Sequence, residues 1–382
     1  MAGSWLLGPD AGAQPQRPTA VLVAVRGDGA ADSGPGSQTS LTELRRLAAT
    51  DGLTVADEVV QSRPHPDPAT FVGSGKVDEL AALAERAHAD LVIADGELTP
   101  GQVRNLEDRV GVRVVDRTAL ILDIFAEHAR TSEGRVQVEL AQIAYQLPRL
   151  QGGGRAMSRV GGGRTAGGAG MGVRGPGEMR LETQRRTLRQ RATRLRRNAS
   201  ELARRRDRTR SRRARNQVPS VSITGYTNAG KSALLNRLTG ADAQVQDVLF
   251  ATLDPTVRRI STGDLTYTVT DTVGFVRHLP HQLVDAFRST LEEVTRSDLA
   301  LHVVDASAPD ALDQITTVHG VLHEIGARDV PELLVLNKID VAPPEWVDAL
   351  CRVHPDAVPV SARTGAGIDQ LRVELARRLR RH

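Results

Sequence analysis

The sequence predicts an α/β protein with two parallel-sheet domains joined by a helical arm. Short apolar runs alternate with amphipathic segments near the start of the chain, and the alternation returns from residue 217 onward. Such alternation is typical of parallel sheets covered by helices on both faces. Between the two regions, leucines recur every seven residues in an arginine-rich segment, which indicates one helix packed along another. We therefore expect an N-terminal parallel α/β domain with a two-helix coiled-coil arm, followed by a doubly wound domain.

Composition indicates an ordinary soluble protein. The chain has 382 residues, of which 40% are apolar and 25% are charged. Its single cysteine, Cys351, excludes an internal disulfide and a cysteine-based zinc site, and it suits a reducing compartment. No apolar run approaches the roughly 20 residues that span a bilayer, and the N-terminus lacks the pattern of a secretory signal. We expect a monomer without a membrane span.

Changes in these patterns along the chain define the expected segments. The N-terminal residues show no periodicity, and a glycine-rich stretch that is too poor in apolar residues to fold alone interrupts the arm. The expected segments are a disordered tail at 1–17, the N-terminal α/β domain at 18–128, the basic helical arm at 129–216 with its Gly-rich tip loop at 152–177, and the second α/β domain at 217–382.

Each α/β domain is expected to alternate short aliphatic strands with helices. In the N-terminal domain the expected strands cover 19–25, 53–60, 91–94 and 112–115, and the expected helices run through Leu41, Leu44 and Leu47 and over 77–89 and 99–109. In the second domain the expected strands cover 220–224, 265–270, 299–304, 333–336 and 357–360, and the last helix covers 371–379.

The arm is expected to consist of two antiparallel helices that share an apolar seam. The first helix ends at Pro148. Its expected apolar face consists of Val136, Leu140, Ile143, Ala144 and Leu147. The seam of the second helix consists of Leu181, Leu188, Ala192, Leu195, Ala199 and Leu202.

The second arm helix is strongly basic. From Arg180 to Asn216 there are sixteen arginines, no lysine and three acids, a net charge of +13 in a chain whose total is +4. A solvated helix usually mixes charges of both signs, whereas this one would repel itself without an anionic partner. The pattern therefore favours binding of a polyanion such as nucleic acid.

The second domain opens with the phosphate-binding loop of many nucleotide-binding proteins. Residues 225–232, here called the phosphate loop, match G-x-x-x-x-G-K-[ST] between a short strand and a helix start. We expect Lys231 to reach the β- and γ-phosphates and Ser232 to bind Mg²⁺, while backbone N–H groups hold the phosphates. The expected contacts are Gly225, Tyr226, Thr227, Asn228, Ala229, Gly230, Lys231 and Ser232.

Polar groups after three later strands favour a guanine nucleotide. Asp271 and Gly274 are expected to face Mg²⁺ and the γ-phosphate. In the motif Asn337-Lys338-Ile339-Asp340, the carboxylate can accept from N1–H and the exocyclic amine of guanine, two donors that adenine does not present there. Ser361, Ala362 and Arg363 follow another strand, and a backbone N–H near Ala362 is expected to donate to the guanine O6. Together these elements predict GTP rather than ATP.

A further segment, Phe250-Ala251-Thr252, lies between the phosphate loop and Asp271 and is expected to contact the nucleotide. Thr252 is expected to complete the Mg²⁺ shell when the γ-phosphate is present, with Thr256 as the alternative. Lys231, Thr252 and Gly274 form the expected catalytic set.

The residue after Gly274 is Phe275, where Ras-like GTPases use a glutamine to orient the attacking water. We therefore predict slow unassisted hydrolysis, with the water placed by Arg277, by His278 or by a partner.

The order of domains and several motifs resemble the HflX family of ribosome-associated GTPases, and the second domain resembles Ras-like GTPases over its whole length. The resemblance covers about residues 18–381. The motifs that carry it are Phe71–Val77, Arg174–Glu178, Leu181–Thr183, the phosphate loop, Leu249–Thr256 and Asp271–Val276.

Resemblance to this family implies a Mg²⁺-dependent GTPase that binds the large (50S) ribosomal subunit and its rRNA and splits or rescues stalled or idle 70S ribosomes. It implies that the ribosome stimulates hydrolysis, that hydrolysis drives release, and that the tip loop reaches toward the peptidyl-transferase centre. It also implies a cytoplasmic location, with peripheral membrane association of part of the protein left open. The arginines expected to contact rRNA are Arg174, Arg185, Arg186, Arg189, Arg196, Arg197, Arg204 and Arg205.

Other interpretations stay open at this point. One alternative is a large-subunit assembly or hibernation GTPase, and another is a GTP-gated RNA-binding protein that does not act on ribosomes. Residues 170–173 and 179–180 depart from the family pattern, the tip loop looks lengthened, and the C-terminal domain of longer members is expected to be absent. The stretch Gly73–Lys76 is either an incomplete phosphate loop for ATP or a helix-opening turn.

Overall fold

The N-terminal domain is built on a four-stranded parallel sheet, as the sequence predicts. Its strands are β1 (Thr19–Arg26), β2 (Thr54–Ser62), β3 (Leu91–Ala94) and β4 (Arg113–Asp116), in the order β2-β1-β3-β4. The computed structural model describes residues 17–27, 35–150, 176–215, 218–240, 249–250, 253, 256–262, 265–277, 283 and 291–380. Almost all of the expected tail and tip loop lies outside these residues.

Helices cover both faces of this sheet. They are α1 (Pro35–Thr50), α2 (Ser74–Arg86), α3 (Pro100–Val110) and α4 (Arg117–His128). Alternate residues of β1 point to opposite faces, so Leu22 packs with α1 and α4 while Val21 and Val23 pack with α2 and α3. The sequence analysis did not predict α4, because a run that is buried from Arg117 to Phe125 shows no helical alternation of apolar and polar residues.

The arm consists of α5 (Ser132–Arg149) and α6 (Pro176–Arg215), which pack against each other. Ala192 of the predicted seam is buried, and Arg191 forms an ion pair with Glu139 of α5. At 40 residues α6 is about 60 Å long, so it extends well beyond the 18 residues of α5.

Two details of α5 differ from the prediction. Pro148 lies inside the last turn instead of ending the helix before it, and Ala144 is exposed. The buried side chains include Val138, Ala141 and Tyr145, because α5 packs against α4 as well as against α6 and therefore needs two apolar faces.

The second domain is a six-stranded sheet in the order β10-β9-β8-β5-β7-β6. The strands are β5 (Ser220–Gly225), β6 (Thr256–Thr262), β7 (Leu265–Asp271), β8 (Leu299–Asp305), β9 (Glu332–Asn337) and β10 (Val358–Pro359). The helices with defined bounds are α7 (Lys231–Thr239), α8 (Ala311–Glu324), α9 (Pro344–Val353) and α10 (Ile368–Leu379). The strand pairs are parallel except β6 with β7, so the sheet is doubly wound with one antiparallel edge.

A single apolar cluster continues from the N-terminal domain into the second domain. It joins residues of α1 and α4 to Tyr226, Phe250 and Phe275. The rings of Phe125 and Phe250 meet edge to face at a centroid distance of 4.5 Å. The two domains therefore share a core beside the phosphate loop.

Candidate nucleotide site

The phosphate loop connects β5 to α7 at the carboxyl end of the sheet, where doubly wound proteins bind their ligands. Gly225 has a φ of 143° and Gly230 a φ of 88°, both in the region that favours glycine. A Cβ on Gly225 would collide with the carbonyl oxygen of Val303, and one on Gly230 would collide with the side chain of Asn337. The glycines of the motif are thus required by close packing as well as by phosphate binding.

Lys231 points back into the phosphate loop. Its Nζ donates to the carbonyl oxygens of Tyr226 at 2.8 Å and of Gly225 at 3.2 Å. Burial lowers the pKa of this lysine to about 8, and the nearby Asp271 carboxylate opposes that shift. Carbonyl groups therefore hold the Lys231 ammonium group inside the loop, at the place where phosphate oxygens are expected.

The predicted magnesium ligands meet next to this lysine. Ser232 Oγ donates to Asp271 Oδ2 at 2.7 Å. Hydroxyl and carboxylate oxygens are the donors that Mg²⁺ prefers, so the donor set fits the ion. Gly274 lies directly beside them, because a Cβ there would come within 2.8 Å of Lys231 Nζ. Ala251 and Thr252 lie outside the described residues.

Asn337 links the phosphate loop to the segment expected to bind the base. Its Nδ2 donates to the carbonyl of Ala229 at 2.8 Å, and its Oδ1 accepts from the N–H of Ala362 at 3.0 Å. Asn337 is buried, and its observed contacts are a cross-brace between two loops. Because the N–H of Ala362 is donated to Asn337, that group is already engaged in this structure.

Asp340 carries the carboxylate expected to recognise guanine. It accepts from Ser361 Oγ at 2.6 Å, and its other oxygen pairs with the exposed guanidinium of Arg363 at 2.5 Å. The hydrogen bond from Ser361 lowers the pKa of Asp340, and the Arg363 charge adds to that shift. Lys338, in the left-handed region at φ 66°, pairs with Asp305 at 2.7 Å. The structure therefore brings the residues expected at the base together and keeps Asp340 ionised.

The two phenylalanines beside the nucleotide site both turn into the shared core. Phe275 is 1% exposed, and its backbone exchanges hydrogen bonds with the phosphate loop, from Thr227 N–H to Phe275 O at 2.7 Å and from Phe275 N–H to Gly225 O at 3.1 Å. Phe250 is also buried, which leaves its backbone for the expected nucleotide contact. The Phe275 ring is thus packed into the core that the two domains share.

A buried polar network that the sequence analysis missed connects the N-terminal domain to the phosphate loop. Tyr226 Oη donates to Glu43 Oε2 at 2.5 Å and accepts from the backbone N–H of Arg277 at 2.7 Å. Glu43 also pairs with Arg117, which binds Asp95 at 2.8 Å. Burial raises the pKa of Glu43, and the Arg117 guanidinium opposes that rise.

The only sequence signal for this network is Tyr226, a hydroxyl-bearing aromatic residue in a loop of small residues. Its partner Glu43 is 183 positions away, so no local pattern connects them. A cavity of about 390 Å³ lies beside the network and is lined from both domains.

Arg277 and His278 are the two residues predicted to place the attacking water, and only Arg277 lies among the described residues. The Arg277 guanidinium pairs with Asp310 at 2.6 Å and lies 3.7 Å from Asp313, so it faces the start of α8. His278 lies outside the described residues.

The seven arginines of α6 that the sequence predicts to contact rRNA form a charged surface, here called the arginine stripe. Arg185 is partly buried, whereas the other described members are exposed: Arg186, Arg189, Arg196, Arg197, Arg204 and Arg205. Arg174 lies outside the described residues. The stripe therefore presents one sign of charge along the arm.

The stretch Gly73–Lys76 is the start of α2. The Gly73 N–H donates to Gln61 Oε1 at 2.7 Å, and Lys76 pairs with Glu79 at 2.7 Å. These contacts fit a helix-opening turn.

Three family models match successive regions of the chain between residues 38 and 338. Residues 38–126 match a model described as GTP-binding GTPase N-terminal, residues 128–213 match GTP-binding GTPase Middle Region, and residues 220–338 match 50S ribosome-binding GTPase. Within the part of the chain that the structure describes, there is no helix with the length and hydropathy needed to cross a bilayer.

Individual relatives agree with these matches. A GTPase HflX from Caldanaerobacter subterraneus subsp. tengcongensis is 46% identical over 361 residues, covering 94% of this chain and 80% of the relative. A GTPase HflX from Escherichia coli (strain K12) is 46% identical over 342 residues, covering 89% and 79%. The crystal structure of an SsGBP–GDP complex is similar with a TM-score of 0.51 and 24% identity, covering 94% of this chain and 98% of that one.

Proposed function

This chain belongs to the HflX family of GTPases, and we propose that in its GTP-loaded form it binds the large ribosomal subunit and splits or rescues stalled or idle 70S ribosomes. GTP hydrolysis then changes the conformation of the segments around Thr252 and Gly274, which are expected to contact the γ-phosphate, and this change releases the protein. The observation that carries the proposal is the joining of a guanine-nucleotide site to a long arginine-covered helix.

The guanine site is supported by residues that reach it from separate elements. Lys231 and Ser232 lie at the start of α7, Asp271 ends β7, and Asp340 follows β9. The Ser361 hydroxyl and the Arg363 guanidinium bind the Asp340 carboxylate and leave lone pairs for the two donors of the guanine edge. An adenine would leave that carboxylate without those donors, at the cost of a desolvated charge.

Ser232 and Thr252 are the proposed Mg²⁺ ligands, with Asp271 behind Ser232. When bound, Mg²⁺ would neutralise charge that develops on the β- and γ-phosphates. The phosphate loop itself binds the nucleotide through backbone N–H groups, and Lys231 must exchange its carbonyl partners for phosphate oxygens on binding. Gly274 leaves room for that movement, because a side chain there would fill the space next to Nζ.

Unassisted hydrolysis is proposed to be slow. This is supported by Phe275, which is packed in the shared core and has no hydrogen-bonding group, and by Arg277, whose guanidinium is held by Asp310. Acceleration then requires a partner to place the water or to shift Arg277, which is a role that the ribosome would fill.

Ribosome binding is supported by the arginine stripe and by the description of the matched family model, 50S ribosome-binding GTPase. Exposed guanidinium groups spaced along a helix of about 60 Å can follow a phosphate backbone. The proposed rRNA contacts are the arginines of the stripe together with Arg174.

The proposal is tested by sedimentation of 70S ribosomes with the full chain in the presence of GDP, GTP or a non-hydrolysable GTP analogue. With the analogue, the protein is expected to co-sediment with 50S subunits and the 70S peak is expected to disappear. With GDP, we expect little co-sedimentation and little loss of the 70S peak. Light scattering of purified 70S ribosomes separates splitting from binding to free subunits, because only splitting lowers the signal. Equal binding in all nucleotide states would overturn the proposal.

A charge-matched pair of variants tests the arginine stripe. Replacing Arg186, Arg189 and Arg197 with glutamine should lower the slope of log affinity against log salt by about 2 to 3. The control replaces three exposed arginines outside the arm: Arg86, Arg328 and Arg352. If both triple variants reduce the slope equally, the arm is not the RNA-binding surface.

A further inference from the structure

The GTPase domain carries a second group of metal-ligating side chains, away from the nucleotide. His302 lies in β8, His319 in α8, and Glu332 is the first residue of β9. One ligand atom from each lies within 4.8 Å of the other two. We infer that this cluster, here called the His₂Glu cluster, is a binding site for a divalent transition-metal ion and that Zn²⁺ is the ion its ligands fit.

The Glu332 carboxylate lies between the two imidazole rings. Its Oε1 is 2.6 Å from Nδ1 of His302, and both of its oxygens are 3.0 Å from Nε2 of His319. In a tetrahedral zinc site, ligand atoms about 2.0–2.2 Å from the ion are about 3.3 Å apart. The observed separations are shorter than this by less than about 1 Å. Small shifts of the Glu332 carboxylate and of the His319 ring would therefore open the space for an ion.

The ligand set is that of three-ligand zinc sites. Two histidine nitrogens and one carboxylate oxygen leave a fourth position for water. Imidazole ligands favour zinc and its transition-metal neighbours over Mg²⁺, which prefers oxygen donors alone. The His₂Glu cluster therefore selects a different class of ion from the one proposed at Ser232.

The sheet fixes two of the three ligands. In the parallel register Ala300 pairs with Glu332, so His302, two residues along β8, points to the same face as Glu332. That face is covered by α8, which carries His319. His302 is 1% exposed and held in place, whereas the His319 side chain is 45% exposed and can adjust to an ion.

An ion has a path to the cluster. His319 and Glu332 line a surface cavity of about 220 Å³, together with His354 and Asp356. The cavity can also hold the water at the fourth position.

The cluster is separate from the nucleotide site. Glu332 and Asn337 are the first and last residues of β9, which places them about 16 Å apart along the strand. A bound ion would fasten α8 to the amino end of β9 without contacting GTP. Since Asp310 and its partner Arg277 lie at the other end of α8, the ion would also fix the helix that holds Arg277.

The test uses the untagged full chain, freed of metal with a chelator and then titrated with Zn²⁺ against a chromophoric competitor, with bound metal counted by mass spectrometry. The expected result is one Zn²⁺ per chain, in the absence of nucleotide and also with Mg²⁺ and GDP present. His319→Ala and Glu332→Gln should each weaken Zn²⁺ binding by at least about 100-fold, since even partners outside the ligand sphere affect metal affinity by 10- to 100-fold.

The matched control is His323→Ala, an exposed histidine one turn further along α8. It should bind Zn²⁺ as the wild type does. A second measurement is thermal unfolding, in which Zn²⁺ should raise the melting temperature of the wild type and His323→Ala and not that of Glu332→Gln. This readout also reveals a variant that has failed to fold.

Three results would overturn the inference. The first is a wild type that retains no Zn²⁺, which would leave the cluster as a set of histidine–carboxylate hydrogen bonds. The second is unchanged Zn²⁺ affinity in folded His319→Ala. The third is loss of the Zn²⁺ when Mg²⁺ and GDP are added, which would assign the ion to the nucleotide site.

Discussion

Asp340 is the residue on which we expect guanine specificity to depend most directly. Its carboxylate has acceptors only, which suits the N1–H and amino donors of guanine. Asp340→Asn places an amide there, which still binds Ser361 and matches an oxygen at position 2 of the base, as in xanthine. We expect GTP affinity to fall by at least about 100-fold, because the carboxylate accepts two donors of guanine and each charge-assisted hydrogen bond contributes about 1.5–3 kcal/mol, and XTP affinity to rise. Titration with fluorescent nucleotides measures both.

Asp329→Asn is the control for this change, because Asp329 is an exposed aspartate of the same domain. It should bind GTP and XTP like the wild type. If Asp340→Asn lost both nucleotides equally, Asp340 would have a structural role and not a base-recognition role.

The burial of a second aspartate, Asp51, predicts that the stability of the protein depends on pH. Both of its carboxylate oxygens are buried without a hydrogen-bond partner among the described residues. Burial, with added repulsion from Asp123 and Glu127, raises its pKa from 3.8 to about 9. The folded state therefore holds the proton more tightly than the unfolded state, so this contribution to stability is complete below pH 3.8 and is lost as pH rises toward about 9.

Asp51→Asn removes the ionisable group and keeps the shape. At pH 8 it should raise the free energy of unfolding by a few kcal/mol, because the wild-type carboxyl must take up a proton on folding and the amide need not, and each unit of pKa difference between the two states contributes about 1.36 kcal/mol. At pH 4 the difference should shrink to well under about 1 kcal/mol, because the wild-type carboxyl is then protonated in the folded state and partly protonated in the unfolded state. Urea unfolding at both pH values measures it, with exposed Asp108→Asn as the control. A gain of equal size at both pH values would contradict the assignment.

Several of the structural elements were predictable because their patterns are local. The strand–loop–helix around Lys231 and the strand that ends at Asn337 lie where the motifs predict them. By contrast, β6 was missed because its edge position leaves Thr256 to Arg259 exposed and charged, which reads as a loop. The helix α4 was missed for the opposite reason, since burial on all sides removes the polar face that identifies a helix.

The junction between α4 and α5 attaches the arm to the N-terminal domain. Asp116 is fully buried and caps α4 by accepting from the Ala119 N–H at 2.9 Å. The same carboxylate pairs with Arg149 at 2.8 Å and accepts from the Tyr145 hydroxyl at 3.0 Å, both on α5. The Arg149 guanidinium also lies 3.5 Å over the Tyr145 ring. One carboxylate thus starts one helix and fixes the end of the next.

Arg149→Ala should reduce the free energy of unfolding by about 3–5 kcal/mol, because it leaves the Asp116 carboxylate buried without its cation. Adding Asp116→Asn to the same chain should recover part of the loss, since the uncompensated charge is then gone. Urea denaturation followed by circular dichroism measures both variants. The control, Arg86→Ala on exposed α2 surface, should stay within about 0.5 kcal/mol of the wild type. A double variant no better than Arg149→Ala would mean that lost packing, not charge, causes the effect.

The contacts that join the two domains could not be predicted from the sequence. Glu43 occupies an ordinary helical position, and nothing near it in the chain marks it as the partner of Tyr226. Only the fold brings α1 to the phosphate loop, where the shared apolar core lowers the local dielectric and strengthens the polar contacts inside it. The shared core and the Tyr226–Glu43 hydrogen bond therefore connect the phosphate loop directly to the N-terminal domain, which also carries the arm.

A double-mutant cycle tests that continuity. In Tyr226→Phe the hydroxyl is lost, and in Glu43→Gln the charge is lost with little change of size. Because the Tyr226–Glu43 contact is a charge-assisted hydrogen bond in a buried setting, the coupling energy between the two changes should be about 1.5–3 kcal/mol. Amide exchange of α1 and of the phosphate loop gives the opening free energies of both segments.

The two segments should lose protection together in each single variant, since the hydrogen bond spans the interface between them. The double variant should lose less protection than the sum of the two single losses, and little more than Glu43→Gln alone, because Glu43 also pairs with Arg117. Tyr267→Phe, which removes a hydroxyl from a buried tyrosine of β7 in a different apolar cluster, should leave α1 unaffected. If the two changes were additive, or if only the phosphate loop became less protected, Tyr226 would be held by its own domain and the arm-bearing domain would not sense the nucleotide through it.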